Sequence, residues 1–303
     1  MNPAREIVSA LLRWYSRHGR QLPWRKTSDP YRVLVSEVML QQTQVHRVLV
    51  KYPEFLRRFP TLLSLSRARQ RSVVTTWRGL GYNNRAVRLH RLARIVATEF
   101  AGRIPEERDS LSMLPGLGRY TVNALRCSAF GVPVPLVDVN VRRSLSRLFW
   151  RMPTTADMRP ECEIWNLAER LLPRRRAYAW NQALMDLGAR ICTARSPRCG
   201  ECPVAAYCRS RRRMTSGVRI RTMQEPSRDG LPNRIYRGRI IRELSRNGGS
   251  RAIAVAALGK KIHPRYTRRH ERWLFSVLEA LQKDGLIAIE RGARPASSRV
   301  FLS

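Results

Sequence analysis

Apolar residues recur at helical spacing through most of the chain. Proline and glycine fall between the periodic segments, at positions where helices end. Strand-like alternation is almost absent before residue 250. The pattern therefore predicts an all-α fold for the first two hundred residues. The periodic segments are 5–15, 31–50, 69–77, 85–100, 121–129, 141–149, 161–172 and 178–192.

The last hundred residues follow a different pattern. Residues 211–231 are basic, and most of them lack apolar periodicity, which is typical of a linker. Three helices and two short strands are predicted after it, at 234–246, 255–262, 267–283, 286–290 and 299–302. This order is typical of a winged-helix domain, which we place at 232–303.

The predicted third helix of this domain opens among arginines. Their charge suits contact with phosphates or reading of a DNA groove. A solvated basic face or a protein-docking surface is the alternative interpretation. The arginines are Arg268, Arg269 and Arg272.

Charge narrows the choice of partner. The 303 residues contain 58 Lys and Arg against 22 Asp and Glu, a net charge of +36. Such an excess favours a polyanionic partner, either nucleic acid or an anionic membrane face. No run of 18 apolar residues exists, which excludes a spanning helix, and the first residues lack the apolar core of a signal peptide. We expect a cytoplasmic, nucleoid-associated protein without a membrane partner.

Four cysteines form the strongest local signal. They are spaced C-x6-C-x2-C-x5-C, at Cys192, Cys199, Cys202 and Cys208. Four thiolates can hold a tetrahedral metal ion or an iron–sulfur cluster. Zinc sites usually contain two C-x2-C knuckles, and only one is present here. A disulfide pair is less favoured in a cytosolic chain.

A glycine-containing string lies between two helical segments. In Leu114-Pro115-Gly116-Leu117-Gly118-Arg119-Tyr120-Thr121, two glycines one residue apart let the backbone approach a phosphate, and the next helix offers free N–H donors. A simple helix-joining turn is the alternative for this string alone. About twenty residues later comes Val137-Asp138-Val139-Asn140-Val141.

Together these motifs closely resemble the MutY-type adenine DNA glycosylases of the helix-hairpin-helix (HhH-GPD, endonuclease III-like) superfamily. The resemblance includes the cysteine loop, the hairpin with its downstream aspartate, and further blocks, and it covers roughly residues 5 to 210. The further blocks are Leu22-Pro23-Trp24-Arg25, Asp29-Pro30-Tyr31, the segment from Ser36 to Gln44, Trp77-Arg78-Gly79-Leu80-Gly81-Tyr82 and Met185-Asp186-Leu187-Gly188.

The resemblance implies a two-lobed, all-α core at residues 1–210 that holds a [4Fe-4S] cluster on the four cysteines. A helical-barrel lobe is expected at 22–133. Residues 1–21 and 134–210 are expected to form the iron–sulfur lobe. The cleft between the lobes should bind bent duplex DNA that contains a mismatch, with the protein acting as a monomer.

The resemblance also assigns catalytic roles. Glu37 would protonate N7 of a flipped adenine, which suits a carboxyl group whose pKa is raised in an apolar helix. Asp138 would stabilise the oxocarbenium-like sugar left when the N-glycosidic bond breaks. Tyr120 and Asn140 complete the expected catalytic group. The alternatives are a buried structural acid for Glu37 and a helix N-cap for Asp138.

Further residues are expected in the base pocket or against DNA. Trp24 and Arg25 match the wall of the adenine pocket, and Gln42 and Tyr82 match residues that wedge into the stack around the orphaned base. The expected pocket and DNA-binding residues in the core are Trp24, Arg25, Gln41, Gln42, Leu80, Tyr82, Gly116, Gly118, Arg119 and Thr121.

Position 120 decides the expected reaction type. Endonuclease III-like lyases have lysine there, whereas this chain has Tyr120 and no lysine from residue 52 to 259. A Schiff-base step therefore lacks its amine, and we expect a monofunctional glycosylase that leaves an abasic site.

The substrate has an alternative. Residues 231–303 do not resemble the Nudix-like domain with which typical MutY proteins read 8-oxoguanine, and Val139 is closer to the thymine enzymes. We expect removal of adenine opposite guanine or 8-oxoguanine, with thymine or uracil opposite guanine as the alternative. A non-enzymatic iron–sulfur regulator with a winged helix is the remote alternative.

Overall fold

The structure is a computed structural model that describes residues 3–152, 159–214, 226–249 and 251–303. The α-helices are α1 Pro3–His18, α2 Pro30–Leu40, α3 Val45–Arg58, α4 Leu62–Ser66, α5 Gln70–Trp77, α6 Asn84–Glu99, α7 Arg108–Met113, α8 Arg119–Ser128, α9 Val139–Trp150, α10 Glu161–Leu171, α11 Ala177–Asp186, α12 Arg211–Met214, α13 Asn233–Arg246, α14 Val255–Ile262 and α15 Glu271–Lys283. The strands are β1 Ser227–Arg228, β2 Leu231–Pro232, β3 Ile253–Ala254, β4 Ile287–Glu290 and β5 Arg299–Leu302. The all-α character predicted for the first two hundred residues is confirmed.

Backbone packing divides the chain into two compact units. Unit 1 comprises residues 1–33, 106–112 and 117–223, and unit 2 comprises 34–105, 113–116 and 224–303. This grouping cuts across the lobes predicted from the sequence, because it joins the C-terminal residues to the helices after residue 34. The predicted boundaries at 210 and 232 stay a prediction. Among the described residues, no helix combines the length and apolar character needed to cross a bilayer.

Unit 1 has a helical core. Apolar faces of α1, α8, α9, α10 and α11 meet in one buried cluster, which includes Leu11, Leu145 and Trp180. Helix α1 packs along α11, and α9 packs against α10 and α11. A π-helical turn, Leu187–Ile191, continues α11 toward the cysteine loop. The core thus places the start of α9 and the cysteine loop on one scaffold.

The helical part of unit 2 is built around α6. Helices α4 and α5 pack against it, and α3 packs on α5. Phe55 and Trp77 meet edge to face with ring centroids 5.7 Å apart inside this group. The C-terminal residues adjoin the same helices, since Gln70 Nε2 donates a hydrogen bond to the Gly285 carbonyl at 2.8 Å.

Residues 233–303 form the expected winged-helix-like arrangement. The order is helix, strand, two helices, then two strands, and the antiparallel sheet has the order β3-β5-β4. Ile253 pairs with Val300, and Ile287 pairs with Leu302. The apolar face of α15 is buried in this domain through Leu274, Leu278 and other residues. The winged-helix prediction is therefore confirmed, with β3 as a strand that the sequence pattern did not reveal.

The predicted linker contains regular structure at both ends. Residues 211–214 form α12, and β1 and β2 form an antiparallel hairpin, while residues 215–225 lie outside the described part of the chain. The expectation of an irregular linker is thus wrong for 227–231. Asp229 and Gly230 occupy the hairpin turn with φ of 45° and 77°, as a two-residue Asp-Gly turn requires.

Asp229 also joins two buried histidines. Its Oδ2 lies 2.7 Å from His263 Nε2 and 3.2 Å from His270 Nε2. Each histidine Nδ1 faces a backbone N–H donor, from Arg265 at 3.1 Å and Thr267 at 3.0 Å. Nδ1 therefore accepts, so each Nε2 carries the proton and donates it to the carboxylate. This assignment favours a hydrogen-bond cluster over a metal site, because a metal would need the Nε2 lone pairs.

We expect Asp229→Ala to lower the midpoint of thermal unfolding, because two buried N–H donors lose their acceptor. The unfolding midpoint of Asp229→Asn should lie between those of Asp229→Ala and the wild type, since an amide oxygen still accepts a hydrogen bond. Glu290→Ala is the control, at an exposed position in the same domain. An unchanged midpoint for Asp229→Ala would contradict the hydrogen-bond assignment.

Candidate functional site

Asp138 is held as the N-cap of α9. Its Oδ1 accepts hydrogen bonds from the backbone N–H groups of Asn140 at 2.9 Å and Val141 at 2.7 Å. Asn140 Nδ2 donates to Oδ2 at 2.8 Å. Donors on both oxygens set the orientation of the carboxylate. The N-cap interpretation of Asp138 is thus correct, and the carboxylate is also only half-buried.

Arg143 extends this network toward the cysteine loop. Its Nη2 donates to Asn140 Oδ1 at 2.9 Å and to the Gly188 carbonyl at 2.7 Å, and its Nε donates to the Cys192 carbonyl at 2.8 Å. Gly188 leaves no room for a side chain, because a Cβ there would lie 2.7 Å from the Cβ of Asn140. Asp138 is therefore oriented through a chain of contacts that ends at the first cysteine of the loop.

Arg147 anchors the same loop one helical turn later. It is almost fully buried, at 1% exposure, and donates to the carbonyls of Thr193 and Ala194. Its Nη1 also lies 3.5 Å from Cys192 Sγ. A guanidinium beside the sulfur stabilises a thiolate ligand, and such N–H···S contacts tune iron–sulfur sites.

The four cysteines have the donor chemistry of a metal cluster. Backbone N–H groups approach the sulfurs of Cys202 and Cys208 and favour their thiolates. Burial nevertheless raises the pKa of Cys202 to about 12, because a thiolate there is desolvated. The loop therefore needs a cation to hold thiolates at neutral pH.

Sulfur spacing separates a cluster from a single zinc ion. A tetrahedral zinc with Zn–S bonds of about 2.3 Å places its sulfurs roughly 3.8 Å apart. Among the described residues, no three cysteine sulfurs lie within 4.8 Å of one another. The described sulfurs are therefore not gathered as a single zinc ion requires, and four thiolates are the donor set of an iron–sulfur cluster, with Cys192, Cys199, Cys202 and Cys208 as its ligands.

Arg25 forms a buried ion pair with Asp186. Its guanidinium donates to both oxygens of Asp186, at 2.8 and 3.0 Å, and Arg20 donates to the same carboxylate. Burial favours a higher pKa for Asp186, but the hydrogen bonds from Arg25 and Arg20 outweigh it and hold the pKa below the usual value. Trp24 is buried beside Arg25 in a 3₁₀ turn. This geometry gives Arg25 a structural role beside its expected one.

Other predicted residues lie in the helices and turns expected for them. Glu37 is half-buried in α2, within unit 2, whereas Asp138 lies in unit 1. Their meeting in one cleft stays a prediction. Tyr120 opens α8, and its hydroxyl contacts Met185 Sδ at 3.8 Å.

The predicted hairpin has the conformation that its glycines suggest. Gly116 has φ of 86°, a left-handed conformation that favours glycine, and Gly118 is the N-cap of α8. Arg119 stacks over Trp165 at 4.0 Å, and Thr121 is buried in the first turn of α8. The helix N-terminus thus follows the turn directly, which is the arrangement that phosphate contact requires.

Two turns in unit 2 present the other predicted residues. We call 41–44 the Gln42 turn and 78–83 the Tyr82 turn. Gln42 and Tyr82 both have left-handed backbone conformations, with φ of 53° and 45°. Tyr82 is 45% exposed, whereas Leu80 is buried. Strained residues of this kind persist only where their surroundings hold them.

Arg85 supplies that support. Its buried guanidinium donates to the carbonyls of Val38 and Met39 at 2.8 Å and to Gln41, and it reaches the carbonyls of Leu80 and Gly81 at 3.2 and 2.8 Å. Burial lowers the pKa of Arg85 to about 10, so it stays protonated at neutral pH. One side chain therefore fixes both turns.

The sequence analysis did not identify Arg85, Arg143 or Arg147 as site residues. All three lie at core-facing positions of amphipathic helices and are less than 9% exposed. A charged residue on an apolar helical face was the signal that could have found them. The expected DNA contacts Arg268, Arg269 and Arg272 are exposed around the start of α15 and stay a prediction.

Comparisons with known proteins agree with this geometry. The sequence model for HhH-GPD superfamily base excision DNA repair proteins matches residues 35–169, and that for the iron–sulfur binding domain of endonuclease III matches 192–208. The second match includes all four cysteines and confirms the [4Fe-4S] prediction.

Three curated relatives are adenine DNA glycosylases, from Mycobacterium tuberculosis (strain H37Rv), Mycolicibacterium smegmatis and Homo sapiens. Their sequence identities to this chain are 44%, 42% and 40%, and the matches cover 64%, 66% and 68% of this chain. The matched part spans 64%, 68% and 39% of those proteins, less than two thirds of the first and third.

Solved structures give the same fold. A thermostable thymine-DNA glycosylase is 31% identical with a TM-score of 0.65, and the match covers 70% of this chain and 97% of that one. An endonuclease III in a non-covalent DNA complex has a TM-score of 0.62 at 22% identity, covering 71% of this chain and 99% of that one. The endonuclease III-like helical core fold predicted from the sequence is therefore confirmed, whereas its division into the predicted lobes stays a prediction.

Arg85→Gln should destabilise the protein by at least about 3 kcal/mol, because several buried carbonyls lose a charged donor. Chemical denaturation measures this loss. Arg91→Gln, on the exposed face of the same helix, is the control and should be within about 0.5 kcal/mol of wild type. Equal losses in the two variants would show that Arg85 does not hold the turns.

Cys202→Ser should remove the cluster and loosen residues 187–210, because the loop then holds three thiols without their cation. Visible absorbance and iron content report the cluster, and hydrogen exchange reports the loop. Cys162→Ser, at an exposed cysteine outside the loop, should retain both. Full iron content in Cys202→Ser would contradict the ligand assignment.

Proposed function

This chain belongs to the HhH-GPD superfamily of base excision DNA repair proteins, within the family of the adenine DNA glycosylases, and from this premise we propose that it removes adenine mispaired with guanine or 8-oxoguanine. The observation that carries the proposal is the fixed carboxylate of Asp138. Relatives of the same name at 40–44% identity support the choice of adenine.

The reaction is hydrolysis of an N-glycosidic bond in a flipped nucleotide. Glu37 protonates adenine N7, and the bond between C1′ and N9 breaks with its electron pair on the base. The sugar becomes an oxocarbenium-like cation, which the carboxylate of Asp138 stabilises. Water adds to C1′ and its proton restores the acid form of Glu37, so the products are free adenine and an abasic site.

Hydrogen bonding at Asp138 suits this role. Two backbone N–H groups and Asn140 hold the carboxylate in one orientation before substrate arrives, so little reorganisation accompanies the reaction. Asn140 and Arg143 act as positioning residues. The [4Fe-4S] cluster supports the loop that Arg143 and Arg147 contact.

The reaction should stop at the abasic site. Tyr120 has no amine, and a lyase step through a Schiff base needs one. Tyr120 instead packs against the core of unit 1 at the start of α8.

Duplex DNA with a mismatch is the proposed substrate, bound through phosphates by the hairpin glycines and by arginine. We propose a monomer in the cytoplasm, associated with the nucleoid. Such electrostatic binding should weaken steeply with salt.

Thymine or uracil opposite guanine is the second candidate substrate. The 31% identity with a thymine-DNA glycosylase and Val139 next to Asp138 favour it. Single-turnover base release separates the candidates on four duplexes: adenine opposite 8-oxoguanine, adenine opposite guanine, thymine opposite guanine and uracil opposite guanine. Release from the thymine and uracil duplexes alone would overturn the adenine assignment.

Asp138→Asn should reduce single-turnover base release by at least about 100-fold, because the amide lacks the charge that stabilises the cation. Binding of the uncleaved duplex should persist, since the amide oxygen can still cap α9. Asp109→Asn, at an exposed position in α7, is the control and should keep wild-type release. Undiminished release by Asp138→Asn would refute the catalytic role, and no release by any form would favour a regulator.

A further inference from the structure

Helix α13 presents one basic face. Arg234, Arg239 and Arg242 share a side of this helix, opposite the side that buries Tyr236 and Ile240. Arg239 is already oriented, because it donates to the Ile262 carbonyl at 2.8 Å and lies 5.6 Å from the centre of the Tyr236 ring. The charge of Arg239 is therefore oriented by the domain itself.

This face closes a cavity against the Gln42 and Tyr82 turns, all within unit 2. The cavity has a volume of about 780 Å³. Within the described part of the chain, five arginines and no acidic side chain line it. They are Arg47, Arg78, Arg234, Arg239 and Arg242. So many cations around one cavity repel one another unless an anion lies between them.

Gly238 has no role in the packing of α13. It lies in the middle of the helix and lines the cavity, where glycine costs about 1 kcal/mol relative to alanine. A Cβ at this position would meet no described atom within 4 Å. Since nothing inside the protein requires the missing side chain, its absence favours close approach of a ligand to the helix backbone.

Asn83 adds an unused polar group. It lines the same cavity, is only 9% exposed, and its Oδ1 has no hydrogen-bond partner among the described residues. Buried amide oxygens are normally paired. Five cations, a bare helix backbone and an unpaired amide together have the chemistry that binds a nucleotide chain.

We propose that this cavity binds the phosphodiester backbone of a DNA strand beside an unpaired base. The inference rests on the proposed function and deepens it. The exposed Tyr82 ring at the rim offers a stacking surface for that base, and the arginines bind the adjoining phosphates. The first helix of the C-terminal domain thereby becomes part of the DNA site, in addition to the arginines at the start of α15.

Charge removal in the cavity tests this assignment. Arg234→Gln with Arg242→Gln is compared with Arg246→Gln with Arg291→Gln, two exposed arginines of the same domain that do not line the cavity. The probe is a duplex with one stable abasic-site analogue, so binding is measured without base release. The cavity pair should weaken binding about tenfold or more and reduce the slope of log K against log salt by roughly 2, and the control pair by much less.

Neutral phosphates locate the contact. Methylphosphonates are placed one at a time on either strand around the abasic analogue. A methylphosphonate at a position that lies in the cavity should weaken DNA binding by the wild type and by the control double variant. It should not weaken binding further by the cavity double variant, which lacks the arginines that contact this phosphate. The proposal would be overturned if the effects of the methylphosphonate and of the cavity substitutions on binding free energy were additive at every position. It would also be overturned if the two double variants lost equal affinity, since either result would show only nonspecific electrostatic attraction.

Gly238→Ala provides an independent test, in which thermal stability and DNA affinity should change in opposite directions. The midpoint of thermal unfolding should rise or stay constant, because alanine favours the helix, while binding of the abasic duplex weakens. Unchanged binding would overturn the close approach of DNA to α13. Base release from the four mismatch duplexes is measured separately, so a failure of the glycosylase assignment is visible even when the binding results hold.

Discussion

The contacts that α9 makes with the cysteine loop determine the geometry of the candidate site. Arg143 and Arg147 donate to carbonyls at the C-terminal end of α11 and in the loop, groups that have no partner within their own helix. The negative end of a helix and the sulfurs compensate the buried charges of Arg143 and Arg147. Because Asn140 bridges Arg143 and Asp138, the orientation of the carboxylate depends on the loop. The cysteine loop thus positions the carboxylate that we propose to be catalytic.

Arg85 solves a similar problem in unit 2 by a similar means. Gln42 and Tyr82 adopt conformations that cost energy, and their turns expose polar carbonyls to a buried environment. A planar guanidinium with five donors can satisfy several carbonyls at once, which lysine cannot. Exposed, strained residues are therefore supported by a side chain that never reaches the surface. The same principle operates twice in the chain, on unrelated elements.

The sequence predicted helix positions well where proline or glycine marks the helix ends. Segment 85–100 is α6 at 84–99, and 255–262 is α14 with identical bounds. Segment 31–50, however, is two helices that break at the Gln42 turn, which contains neither proline nor glycine. Its break depends on Arg85, a contact from 44 residues away, which local periodicity cannot report. The Asp229-Gly230 hairpin had a local signal, but the basic composition around it masked the two short strands.

Predicting the site from the sequence had the same limit. Motif resemblance identified Asp138 and the cysteines because their residue types and spacings are distinctive. The residues that position them are arginines, and arginine makes up all but five of the 58 basic residues. Because arginine is so frequent in this chain, an arginine at one more position gives little indication of a functional site.

Burial is what distinguishes the arginines. Arg25, Arg85, Arg143 and Arg147 bind carbonyls or a carboxylate inside the protein, so part of the charge excess serves the fold. The net charge therefore overstates the DNA-binding surface. The arginines that line the cavity beside α13, where no described acidic side chain is part of the lining, are the ones for which a polyanion is the natural partner.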